Sequence, residues 1–142
     1  MVKKWAALAA GILFLISLVG CSSQKFSNET ELNEISSTKE ISLSVKEQSL
    51  TDTGLILLIE NHTDKECSYG MEYTVEQKRG DKWYSSDEEK IVESLAALLR
   101  PNETNEFSVT WKEKLAPGTY RVVKPVNTSK GNENLAAEFT VQ

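Results

Sequence analysis

Along the chain the apolar positions change rhythm twice. Trp5 to Val19 form an apolar run interrupted by Ser17 alone, preceded by Lys3 and Lys4 and ended by Gly20-Cys21. Residues 22–39 are rich in Ser, Asn, Glu and Thr, with lone apolar residues at Phe26, Leu32 and Ile35 and no sustained period. Such a composition buries too little surface to offset the entropy of ordering, so a flexible tether is expected. From residue 40 the period becomes two. Ile41, Leu43 and Val45 alternate with Ser42, Ser44 and Lys46, and Gly54 to Asn61 is an apolar run of strand length. Met71, Tyr73 and Val75 alternate with Glu72, Thr74 and Glu76, and Lys78-Arg79-Gly80-Asp81 reads as a hairpin leading to Lys82-Trp83-Tyr84. Phe107, Val109 and Trp111 form another alternating set, Tyr120 and Val122 follow the turn Ala116-Pro117-Gly118, and Ala137, Phe139 and Val141 close the chain. Short strands at regular spacing, separated by turn residues, predict an all-β antiparallel sandwich.

One segment breaks the rhythm. Ser86-Asp87-Glu88-Glu89 has the form of a capping box, and Ile91, Val92, Leu95, Leu98 and Leu99 fit one helical face that ends before Pro101. Local physics favours a helix over residues 87–99.

The first run has the plan of an export signal: positive start, apolar middle, small residues before the break. It is short of the roughly 20 apolar residues that a spanning helix needs. Leu18-Val19-Gly20-Cys21 resembles the lipobox of bacterial lipoproteins. That resemblance implies a diacylglycerol on the Cys21 thiol, cleavage between Gly20 and Cys21, and Cys21 as the first residue of the mature chain. Two acyl chains then hold the protein stably to the membrane, which one chain does only marginally. An ordinary signal peptide, or an uncleaved anchor with an incidental cysteine, is the alternative.

"LLRPNETNEFSVTW" and "LAPGTYRVVK", together with "IENHTDKECSYGMEYTVEQKRGDKWY", resemble the bacterial immunoglobulin-like domains of exported proteins and lipoproteins. The shared features are a basic residue-Pro-Asn-Glu-Thr turn between strands, a Leu-x-Pro-Gly-x-Tyr-Arg turn before a late strand, a Tyr-Gly step, and a hairpin ending in Trp-Tyr. The resemblance spans about residues 40 to 142. It implies an immunoglobulin-like sandwich in which residues 95–99 are strand, against the helical signal, and it implies that Tyr120 forms a tyrosine corner. Helix propensity is a weak prior that sandwich packing overrides. The expected organisation is a lipoprotein signal peptide over 1–20, a disordered tether with lipidated Cys21 over 21–39, and one immunoglobulin-like domain over 40–142.

Charge and candidate chemistry narrow the function by exclusion. Loss of residues 1–20 takes the formal charge from −5 to −7, and an acidic surface repels nucleic acid. No nucleic-acid partner, cofactor or metal is expected. Once Cys21 is taken by lipid, Cys67 stands alone, so no disulfide joins the sheets; it reads as a small apolar residue at a strand start or as a reactive thiol. His62, the single histidine, falls in a polar turn. With Cys67 it would make a nucleophile and base lacking a third orienting group. No catalytic residue is assigned. Asn-x-Ser/Thr triplets start at Asn28, Asn61, Asn102 and Asn127 and are read as turn composition. Trp83 and Tyr84, adjacent on a strand, must face opposite ways, and either could serve as a partner-binding contact.

The expected protein is an extracytoplasmic, membrane-anchored, non-enzymatic binding or interaction module with a monomeric folded domain. Its expected partners are the membrane, through the lipid of Cys21, and an envelope protein or glycan. A structural spacer or stabilising accessory of another envelope protein is the alternative.

Overall fold

The computed structural model describes residues 25–31, 35–36, 38–86 and 95–142. Ten strands run in chain order: β1 Phe26–Thr30, β2 Ile41–Val45, β3 Gly54–Asn61, β4 Cys67–Tyr69, β5 Thr74–Arg79, β6 Lys82–Ser86, β7 Ala97–Leu99, β8 Thr104–Thr110, β9 Gly118–Thr128 and β10 Gly131–Val141. They form two sheets whose strand pairs are antiparallel. The smaller has the order β2-β3-β8, and the larger runs β1-β6-β5-β9-β4-β7 with β10 on the other edge of β9.

The alternation in sequence explains the layering. Ile41 on β2, Leu55, Leu57 and Ile59 on β3, and Phe107 and Val109 on β8 point inward from the small sheet. Val75, Tyr120, Val122, Val126, Leu135, Ala137 and Phe139 meet them from the large one. Because successive side chains on a strand point to opposite faces, these period-two sets fix which face becomes core. An aromatic row crosses the interior: Trp111 stacks on Phe139 at 5.9 Å between centroids, Phe139 on Tyr120 at 5.6 Å, and Phe26 meets Tyr120 at 5.5 Å.

The turns follow their residues. Gly80 at φ 63° opens the two-residue β5–β6 loop, a conformation that glycine adopts without steric cost. Between β7 and β8, Glu103 N donates to Arg100 O (3.1 Å), with Pro101 and then Asn102 at φ 58° between them. This is the Pro-Asn order that a type II turn favours. Glu103 Oε2 also accepts from Arg100 N at 2.7 Å, which accounts for the glutamate in the Arg-Pro-Asn-Glu turn. The expected tyrosine corner is present: Tyr120 Oη donates to Ala116 O at 2.7 Å.

Two expectations need correction. The 22–39 segment is not a free tether throughout, because Phe26–Thr30 pairs with β6 and Phe26 is buried in the core (4% exposed). Further on, Ser36 N donates to Asn134 O at 2.8 Å beside an Ile35 bridge to the same residue. The segment's own apolar content is low, but its residues 26–30 and 35–36 are held by backbone pairing with other strands and by one aromatic anchor. The alternation counted from Met71 begins only at β5, with Met71 exposed. On the disputed stretch, Ala97–Leu99 is strand β7, paired with β4. Leu99 is buried while Leu95 (73% exposed) and Leu98 (57%) are not, so the apolar residues do not share one buried helical face. The remainder of that helical reading, residues 87–94, lies outside the described residues, as does the signal peptide.

Candidate functional site

Gly20 and Cys21, the expected cleavage and lipidation residues, lie outside the described residues. Trp83 and Tyr84 do face opposite ways on β6, but neither is freely exposed. Trp83 is only 4% exposed, on the face turned away from the shared core. The Arg121 guanidinium lies over its ring at 4.4 Å and Lys78 Nζ at 5.6 Å. Its burial among cationic side chains removes it as a free contact surface. Tyr84 is half-buried on the core side, beneath the Arg79 guanidinium at 4.8 Å.

His62 sits just beyond β3 and is exposed. Register places Ser42 across from Glu60, and these two with His62 converge. Ser42 Oγ lies 2.9 Å from His62 Nε2 and donates to Glu60 Oε2 at 2.9 Å. The composition resembles a nucleophile, base and acid, but the arrangement differs. The carboxylate lies 3.7 Å from the same Nε2 that meets Ser42, whereas an orienting acid must hold the other ring nitrogen. Glu60 competes for the serine proton and does not drive it towards the imidazole. Cys67 is buried at the start of β4, and its thiol is pushed up first by desolvation and then by the Glu66 carboxylate. A raised thiol is a poor nucleophile, so the bland reading of Cys67 fits its surroundings.

The most elaborate polar chemistry lies at buried strand positions, some on the inward face and some on the outer face of the large sheet. Glu76 and Arg121 are buried on neighbouring strands, with Arg121 Nε donating to Glu76 Oε2 at 2.5 Å below Trp83. Lys124 on β9 is fully buried on the core side. Its Nζ donates to Gly70 O (2.7 Å) and Glu72 O (2.8 Å), and lies 5.2 Å from the Tyr69 ring and 4.6 Å from the Phe107 ring. Desolvation lowers its pKa to about 8, with Glu72 acting the other way. Asn61 ends β3 as a third knot. Its amide donates to Lys65 O, Leu99 O and Arg100 O, and its carbonyl accepts from Thr63, so one side chain ties the small sheet to the β7 end of the large one. The only sequence signal for these groups was a charged residue at an inward or central-strand position, as in "YRVVK".

A cavity of about 290 Å³ lies at one end of the sandwich, lined by Leu50, Asp52, Trp111, Lys114, Leu115 and Val141 among others. Some of its polar groups are engaged: Trp111 Nε1 donates to Asp52 O at 2.8 Å, and Lys114 pairs with Asp52 at 3.1 Å. Among the described residues no group of three or more His, Cys, Asp or Glu is placed to hold a metal, and no helix is long and apolar enough to cross a membrane.

Comparison with solved structures finds the archaellum periplasmic stator protein FlaG from Sulfolobus acidocaldarius. It matches at 10% identity and a TM-score of 0.42, over 71% of this chain and 99% of that one. The stator complex of FlaF and FlaG from the same organism matches at 10% identity and a TM-score of 0.43, over 81% and 98%. Overlap this loose supports no functional transfer. No curated protein sequence matches. The family described as "Bacterial Ig-like domain" matches residues 37–140, which spans all but β1 and the chain's end. With the two-sheet sandwich, the Pro-Asn turn and the tyrosine corner in place, this chain belongs to the bacterial Ig-like domain family.

Proposed function

We propose that the chain is an extracytoplasmic lipoprotein held to the membrane by a diacylglycerol on Cys21. Its single Ig-like domain then acts as a non-catalytic binding or interaction module for another envelope protein or a glycan. The family match over residues 37–140 carries this reading, and the Lys3-Lys4 start, apolar run and Leu18-Val19-Gly20-Cys21 add the address. The geometry agrees with it: the buried charges of Glu76, Arg121 and Lys124 are spent on holding strands together. Tyr84, half-buried at the β6 surface, is the remaining aromatic candidate for a partner contact.

The experiment has two arms. Labelling with a fatty acid should mark the native protein and not Cys21→Ser; equal label on both would refute the anchor. Cross-linking on intact cells, followed by capture through the native lipidated protein, should recover a defined envelope partner. The spacer reading is favoured by one observation, the burial of Trp83. It predicts that an unrelated sandwich grafted onto residues 1–39 restores whatever phenotype deletion causes.

A further inference from the structure

Among the described strands, β8 is paired on one side alone. Backbone bonds from Asn61 N to Glu103 O and from Trp111 N to Thr53 O set the phase of the β3–β8 ladder. In that phase Asn105, Phe107 and Val109 turn their N–H and C=O groups to β3, and Thr104, Glu106, Ser108 and Thr110 turn theirs outward. Among the described residues no strand flanks β8 on that side. At its end, one side chain takes the place of a strand. The Tyr73 hydroxyl accepts from Thr110 N at 3.0 Å and donates to Thr110 O at 2.7 Å, the same two bonds a neighbouring strand would exchange with that residue.

Tyr73 belongs to the other sheet's chain path, between β4 and β5, and Lys124 grips that connection. Its Nζ donates to the carbonyls of Gly70 and Glu72, on either side of exposed Met71. A second route runs through a ring. Lys124 Nζ lies 4.6 Å from the Phe107 centroid, and Phe107 meets the Tyr73 ring edge-on at 5.8 Å. A Cβ at Gly70 would come to 2.0 Å from Glu72 Oε2, so a side chain there would push the Glu72 carboxylate aside.

We propose that Lys124 and Tyr73 form one latch, in which the buried ammonium holds the Gly70–Glu72 crossing and the Phe107 ring so that the Tyr73 hydroxyl closes the end of the β8 edge. Lys124 is the positioning residue and Tyr73 the bolt. An open edge invites pairing with another chain, so the latch guards a side of the sandwich that its own strands leave uncovered.

Amide hydrogen exchange at Thr110 reads the latch directly. Tyr73→Phe removes the hydroxyl and keeps the ring, and should speed exchange of the Thr110 amide about tenfold or more. Lys124→Met, in the other sheet, should speed the same amide to a similar degree, and the double variant should be no faster than the faster single one. Faster exchange confined to residues 70–72 in Lys124→Met, with Thr110 unchanged, would overturn the coupling. If Lys124→Met does not fold, the reciprocal measurement decides, since coupling between two sites acts equally in both directions. In Tyr73→Phe the ammonium protons of Lys124 should exchange several-fold faster, and an unchanged rate there would equally reject the latch.

Discussion

Two polar clusters on opposite sheets show how differently this domain treats charged side chains. On the small sheet, Ser42, Glu60 and His62 meet at the surface, each at least partly open to water. On the large sheet, Glu76 and Arg121 meet out of water beneath Trp83, with Arg121 Nη2 buried and lacking a hydrogen-bond partner among the described residues. The first cluster has catalytic composition and lacks catalytic geometry. The second has no functional motif, yet it sits where an error is most costly, because a buried ion pair returns little net stability while a broken one leaves a bare charge inside.

Breaking the buried pair should therefore give the largest effect. Glu76→Ala is expected to lose about 3–5 kcal/mol in chemical denaturation. Replacing both partners together, Glu76→Met with Arg121→Leu, should recover most of that loss. A double variant as unstable as the single one would mean that the pair itself supplies the stability.

The interior lysine sharpens the contrast through pH. The folded-state pKa of Lys124 is lowered to about 8 by desolvation, against about 10.4 for an exposed lysine. Between these values the unfolded chain binds more protons than the folded one, so stability rises with pH across the window. Its contribution is fully present above the unfolded pKa and is lost as pH falls through about 8. Denaturation at several pH values from 7 to 10.5 should show a rise of about 1–3 kcal/mol in the native protein relative to Lys124→Met. Burial raises the pKa of the Tyr120 hydroxyl, so the folded state loses stability once unfolded tyrosines ionise near pH 10. That loss is common to both proteins and cancels in the comparison.

The smallest effect should come from the cluster that most resembles an active site. His62→Ala is expected to change stability by less than about 0.5 kcal/mol, as for an ordinary surface substitution, and to leave partner capture intact. Loss of turnover of an envelope substrate in that variant would overturn the interaction-module reading.

The fold was legible wherever inward positions are apolar. Ile41 to Val45, Gly54 to Asn61 and Phe107 to Val109 were assigned to strands because each carries its own period of two. Three features were hidden for separate reasons. Phe26–Thr30 has almost no apolar content, and its order comes from the edge of β6, which no local window contains. Leu95 to Leu99 sends a strong helical signal of its own, so its strand role was hidden from periodicity and legible through the family resemblance alone; it rests on three residues paired with β4. Glu76 and Arg121 look like solvent positions, and Lys124 like a stray charge on an inward face, because their partners lie more than 40 residues away in sequence. Distance along the chain also concealed the Ser42–His62 contact, while the Arg-Pro-Asn-Glu turn and the tyrosine corner were readable because they close within five residues.

Strand β1 sets the altitude of the domain. Were Cys21 lipidated as proposed, five peptide steps would lead from the lipid to Phe26, and a fully extended chain covers at most about 17 Å over that distance. The β1 end of the sandwich would then lie near the headgroups, within about two Debye lengths of the bilayer. A molecule engaged by that end would have to present itself close to the membrane, and lengthening the 22–25 stretch would raise the domain without altering a described contact inside the fold.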